Sequence, residues 1–178
     1  MEQANMITGI TNEDIRTQLR NDFFANSLLG NYEVTIEQEG REVTLRTGSS
    51  QGGSFEGGYE FTNISAPITV RDNFRLAIYP QDFLAEIVKF FGAEDMITGY
   101  KEFDDSVMVK TNDALRCHTI FADAESRLVF QTLSGYSLEI KHEDDHSLLE
   151  LDIQAAITNP EELVNIYHAF FLVLKAIG

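Results

Sequence analysis

Tyr136-Ser137-Leu138-Glu139-Ile140-Lys141, Leu149-Glu150-Leu151-Asp152-Ile153 and Asn159-Pro160-Glu161-Glu162 stand in succession near the C-terminal end. The first two alternate apolar and polar residues with the period of two that sets one side of a strand against a core and the other in water. The polar residues between them supply a turn. The third combines a capping asparagine, a proline tolerated in the first helical turn and two carboxylates where the helix dipole favours negative charge. A hairpin followed by a long helix is the grammar of an α+β fold, an antiparallel sheet packed against helices.

The helix that begins there sorts its residues. At about 100° per residue, Glu161, Asn165, His168 and Lys175 form one narrow stripe, and Leu163, Ile166, Tyr167, Phe170, Val173, Leu174 and Ile177 fill the opposite side. Most of its circumference needs cover. Leu172 falls inside the polar stripe, out of place on a helix otherwise well sorted. The helix either packs on the sheet alone or is also shared with a second subunit or client protein, with Leu172, His168 and Asn165 as the contact.

Upstream lies Thr98-Gly99-Tyr100-Lys101-Glu102-Phe103-Asp104-Asp105-Ser106-Val107-Met108-Val109-Lys110-Thr111-Asn112-Asp113. Val107 and Val109 mark a short strand, and Asn112 offers a side-chain oxygen to cap a helix. Asp104 suits acceptance of turn amides better than acid–base pairing with Asp105, because consecutive residues at a strand start face opposite sides. Asn112 to Ala122 and Asp123 to Leu133 read as two helical pieces, or one helix bent near Asp123, closed by Gly135. This segment resembles a signature of bacterial domains of unknown function, carried here by Gly99, Phe103, Asp104, Val107, Val109, Asn112 and the neighbouring Thr111 and Asp113. The resemblance extends from Phe74 to the end and implies a fold without a biochemical role. It departs from the pattern where Tyr100 follows Gly99 and where Val107 replaces an aromatic residue. A small acidic α+β domain with such a last helix is also broadly similar to secretion-type chaperones.

Nearer the N-terminus, Asn12-Glu13-Asp14 starts a helix with Ile15, Leu19 and Phe23 on one face. Tyr32–Glu37 and Val43–Arg46 form a hairpin around Glu39-Gly40, where the glycine supplies positive φ. The low-complexity stretch 49–58, SSQGGSFEGG, connects strands. Three strand-like runs follow, at Tyr59–Ile64, Ile68–Arg71 and Phe74–Tyr79. Pro80 then opens a helix with Phe83, Leu84, Ile87, Val88 and Phe91 inward and Gly92 at its end. Residues 1–92 and 93–178 each run from strand pairs into a helix, a pattern shared by an internal duplication and by ordinary α+β architecture. One domain spanning 1–178 is expected, with Phe83, Ile87, Phe91, Val107, Val109, Leu128, Leu138, Ile140, Leu151, Ile166, Phe170 and Leu174 in its core.

Composition narrows the function classes. The 178 residues carry a net charge of −16, which repels phosphate backbones and anionic headgroups, so nucleic acid is not an expected partner. With 43% hydrophobic residues the charge coats a folded body. Cys117 is the single cysteine, which excludes an internal disulfide and any multi-cysteine metal site and fits a reducing compartment. Met1 to Thr8 lacks the pattern of a signal peptide and no apolar run is long enough for membrane insertion, so a cytoplasmic location is expected.

Chemistry-bearing residues are few. His142-Glu143-Asp144-Asp145-His146 offers imidazoles and carboxylates in a turn, but no second cluster completes a metal site, and neither metal nor cofactor is expected. Cys117 and His118 are adjacent and project about 100° apart on a helix, which defeats a nucleophile–base hydrogen bond. The glycine stretch lacks the lysine ending of a phosphate loop. Two classes remain: a non-catalytic domain that binds a protein partner or a second copy through the last helix, and an enzyme assembling His118, His142 or His146 with distant carboxylates.

Overall fold

The computed structural model describes residues 5–26, 30–50, 58–70, 73–82, 94–142 and 146–178. In chain order the elements are β1 (Asn5–Gly9), α1 (Asn12–Asn26), β2 (Tyr32–Gln38), β3 (Arg41–Ser50), β4 (Tyr59–Ile68), β5 (Leu76–Pro80) and β6 (Glu94–Met96). There follow α2 (Lys101–Asp104), β7 (Val107–Thr111), α3 (Ala114–Ile120), α4 (Ala124–Thr132), β8 (Tyr136–His142), β9 (Ser147–Ile153) and α5 (Pro160–Ile177). The fold is α+β, as the alternation and the long last helix require.

Local chemistry sets the hairpins. Glu39 and Gly40 take φ of 50° and 74°, the pair of positive values that a two-residue turn needs to match the strand twist. That turn pairs Ile36 with Val43 and Val34 with Leu45, and all four are fully buried. The β8–β9 hairpin likewise pairs Leu138 with Leu151 and Ile140 with Leu149 on the inward face.

Among the described residues nine strands join one sheet in the order β1-β2-β3-β4-β9-β8-β5-β7-β6. Among the described strands only β1 and β2 pair in parallel, and α1 makes the long connection that a parallel pair demands. The C-terminal hairpin inserts between β4 and β5, so strands from residues 1–92 and 93–178 interleave. α5 lies on the inward face with ten buried residues, among them Leu163, Ile166, Phe170 and Leu174. α1 presents Ile15, Leu19 and Phe23 to the same core. Phe103 of α2 meets Phe121 at the end of α3 at 5.1 Å, and Phe130 of α4 meets Tyr136 of β8 at 5.8 Å, which ties α2 to α3 and α4 to the sheet.

Several expectations change. β1 is an additional strand before α1. β4 runs unbroken from Tyr59 to Ile68, so Ile68 ends that strand instead of opening another. Pro80 closes β5 opposite Val107, where the β8 ladder, which reaches only Ala77 and Ile78, has already ended. The helix expected after it, with Phe83, Ile87 and Phe91, lies outside the described residues.

Caps also move. Asp113 rather than Asn112 caps α3, accepting from the Arg116 amide at 3.0 Å. Asn112 instead accepts from the Arg75 amide at 2.8 Å and donates to the Asn73 carbonyl at 2.9 Å, bracing the approach to β5. Either residue type caps well, and the choice falls to the one whose side chain is not already held. Asp123 starts α4 as a separate helix, accepting from the Ser126 amide at 2.7 Å. Thr11 caps α1, its hydroxyl accepting from the Asp14 amide at 3.1 Å, while Asn12 accepts from Gln38.

Leu128 is 60% exposed and not in the core. Ser126 and Phe130, four residues apart, take the inward face of α4, and Leu128 lies about 200° round the helix from each. Asp104 does accept turn amides, from Thr98 and Gly99 at 2.9 Å each. The adjoining α2 carries Phe103 into the core.

Removing a large side chain from the centre of α5 tests this arrangement. Phe170→Ala should lower unfolding free energy by about 3–5 kcal/mol, through lost transfer energy and the cavity left behind. Urea denaturation reads it directly, and a loss within about half a kcal/mol would contradict the packing of α5.

Candidate functional site

The polar stripe of α5 faces its own chain. Glu161 pairs with Arg20 of α1, whose Nη2 donates to it at 2.9 Å. Asn165 accepts from Arg16 Nη2 at 3.0 Å, and Lys175 meets Glu39 of the β2–β3 turn at 2.8 Å. Leu172, between these contacts, is half-buried rather than exposed.

Where α1, α4 and α5 approach one another they leave a cavity of about 390 Å³ lined by Arg16, Glu125, Ser126, Val129, Asn165 and His168, with Leu128 also in its wall. A second cavity of about 400 Å³ shares Leu128, Val129 and Asn165 and extends past Leu133 and Ile166. Together they form a groove along α5, polar at one end and apolar at the other. Both volumes fall within the range of ligand pockets.

Four polar groups define the polar end. Arg16 is half-buried and forms no ion pair among the described residues, although acids outnumber bases more than twofold in this chain. Ser126 is 1% exposed, lies on the inward face of α4 with Phe130, and its hydroxyl has no hydrogen-bond partner among the described residues. Asn165 gives its carbonyl oxygen to Arg16, and nothing among the described residues accepts its amide hydrogens. His168 is half-buried, and its proton affinity is lowered chiefly by that burial and further by the Arg16 charge, against opposing pulls from Glu125 and Asp123.

The other candidates lie elsewhere. His118 is exposed on α3. His142 ends β8 with its Nδ1 at 3.0 Å from the Ser147 hydroxyl, and His146 precedes β9 across the same turn. Residues 143–145 lie outside the described residues, and none of the three histidines lines the groove. Cys117 is fully buried, and burial followed by the Asp113 charge pushes its thiol up to about 12. Among the described residues no group of three His, Cys, Asp or Glu could hold a metal ion, and no helix is long and apolar enough to cross a membrane.

On the other face of the sheet Lys141 sits among Glu150 at 2.9 Å, Asp152 at 3.3 Å and Glu139 at 3.6 Å. Glu139 and Glu150 are directly opposed across β8 and β9, a repulsive placement that the lysine offsets. Asn63 donates to both Glu150 and Asp152 at 2.7 Å. This cluster holds strands together and presents no unpaired group to a substrate. Compared with family models, with curated proteins and with solved structures, the chain has no match.

Two outcomes follow from the burial of these groups. Cys117 in the native protein should resist a thiol reagent at pH 8 and react fully once unfolded, since a thiol pushed up to about 12 and shielded from solvent presents almost no thiolate. His168 holds its proton less tightly in the folded protein than in the unfolded chain. Unfolding therefore takes up a proton as pH falls through the ordinary value of 6.5 towards the lower folded one, and stability declines across that window. Above it the group contributes nothing. Urea midpoints of wild type and His168→Asn measured from pH 7.5 to 5 should diverge below about 6.5, with the variant losing less.

Proposed function

We propose that this chain is a non-catalytic protein-binding domain and that the groove between α1, α4 and α5 is its contact surface. The observation that carries the reading is Leu128, 60% exposed at the wall of a groove whose apolar end is built from Val129, Leu133 and Ile166. An apolar side chain held open beside a concave apolar strip supports docking of a segment from another protein. Glu125 and Glu162 border the strip, and the net charge is −16, which favours an occupant with apolar side chains and basic flanks.

Asn165 and His168 belong to this surface and Leu172 adjoins it on α5. A cytoplasmic setting agrees with one buried, unreactive cysteine. Membership of the bacterial domain family suggested by the Gly99 to Asp113 segment is compatible with a binding role. An enzyme built on His118, His142 or His146 has less support, because the groove contains none of them.

Leu128→Glu tests the reading. The exposed position should tolerate the change with a stability loss within about 0.5 kcal/mol, while discrete partners recovered by site-specific photocrosslinking from α4 in the native host disappear. Recovery of the same partners from the variant, or self-association alone in sedimentation, would set the reading aside.

A further inference from the structure

We infer that the free edge of β1 receives an extended segment of another protein as a further strand, with an apolar side chain beside Met6 and a lysine or arginine beside Thr8 that answers Glu37 and Glu42. No residue of β1 lines the groove, and the inference does not rest on the reading given to it.

The two edges of the sheet are built differently. β6, at one end, has three residues, and Glu94 and Asp95 put charge on it, a common device against further pairing. β1, at the other end, has five residues, Asn5-Met6-Ile7-Thr8-Gly9, with neither a charge nor a proline. Among the described residues no strand pairs with its second side. Met6 is 61% exposed, and Ile10, just past the strand, is 85% exposed. The edge is also held in place from α1. Asn5 donates to Asp22 at 3.2 Å, and the Gln18 side chain donates to the Thr8 carbonyl at 3.0 Å. Gln18 is itself exposed, so an incoming backbone amide can take over that carbonyl. A strand already ordered loses little freedom on pairing, and its ladder gives affinity to an extended segment.

Charge decides which segment. On the open face of the sheet Thr8 stands opposite Glu37, and Glu37 stands opposite Glu42. Two carboxylates directly opposed across a ladder repel. The same arrangement recurs on that face at Glu139 and Glu150, where Lys141 offsets it. Among the described residues no cation meets Glu37 or Glu42, since Arg46 is held by Glu33 and Lys175 by Glu39. A strand added to β1 places a residue beside Thr8 at two strand spacings from Glu37, roughly 10 Å. An extended lysine or arginine reaches a glutamate over that distance, across the short threonine. A second copy of this chain does not fit, because β1 has no cation to offer and a net charge of −16 opposes pairing like with like.

The test uses the full chain and short labelled peptides of Val, Ile and Thr with one central Lys, together with the same peptides carrying Glu there. A third set carries Lys and is N-methylated on one or the other alternating set of residues. Fluorescence anisotropy reads affinity, amide hydrogen exchange locates the contact, and circular dichroism verifies the fold of each variant. The Lys peptide should bind roughly tenfold more tightly than the Glu peptide at low salt and should slow exchange of the amides between Met6 and Ile10. N-methylation should abolish binding on one alternating set and spare it on the other, because only one side of an added strand faces β1. Glu37→Lys should remove the preference for Lys over Glu, and Met6→Lys should weaken both peptides.

Equal binding of Lys and Glu peptides, or binding by none of them, would overturn the inference, and the crosslinking result at α4 decides the groove reading separately. Slowed exchange confined to α4 and α5 would put the peptide in the groove and overturn the role of β1 while the groove reading stands. Self-association of the chain that Met6→Lys dissolves would make a second copy the occupant and overturn it too.

Discussion

Burial of α5 against the sheet is the interaction on which the rest of the structure depends. Its inward residues share one core with Val34 and Leu45 as well as Leu138 and Leu151, and Val164, Ala169 and Phe171 are buried too, so apolar surroundings cover most of its circumference. Non-directional burial of this kind gives stability without fixing rotation about the helix axis. Polar contacts supply that. Tyr167 donates to Gln38 at 2.9 Å and Gln38 donates to Asn12 at 2.6 Å, linking α5 to β2 and to the start of α1 in a buried chain. Gln38 is only 1% exposed, so each of these bonds satisfies a group that has no access to water. With Arg20 on Glu161 and Glu39 on Lys175, the helix is held at both ends of its polar stripe.

The groove is a consequence of that anchoring. α1 is drawn to the polar stripe by two arginines, while α4 approaches α5 through Phe130 and Ser126 on its inward face. Both flanking helices bury apolar residues, Ile15, Leu19 and Phe23 on α1 and Phe130 on α4, and α1 adds the Arg20–Glu161 ion pair and the Arg16–Asn165 hydrogen bond. The space between them inherits both characters. Arg16, Asn165 and His168 form the polar end because they lie on the α1 side, and Leu133 and Ile166 form the apolar end because they continue the core outwards.

Elements whose information is local were legible in the sequence. The β2–β3 and β8–β9 hairpins are written in alternation around short turns, and the start of α5 in the Asn159 cap, whose oxygen accepts from the Glu161 and Glu162 amides. β1 was not legible, because among its five residues only Ile7 is buried and a lone apolar contact leaves no period to read. The Asn112–Asp113 ambiguity is of another kind: both side chains can cap, and the decision rests on a loop brought from Asn73 and Arg75. The candidate site was legible only in part. The polar stripe named Asn165 and His168, but Arg16, Glu125 and Ser126 come from separate helices and nothing in their local sequence marks them. One signal was present. Leu128 stands two residues from both Ser126 and Phe130, which is the wrong side of α4 for a core position.

An apolar groove on a protein surface invites self-association, and the charge of the chain bears on that. Two copies at −16 repel at the separation where a groove-to-groove contact would form, and Glu125 and Glu162 at its border would be brought close to their own counterparts in an isologous dimer. In the proposed binding role the same carboxylates would attract a basic-flanked segment and disfavour acidic competitors. Salt screens both effects over about 8 Å at physiological ionic strength, so in that role charge would discriminate only at close range, beside the exposed Leu128.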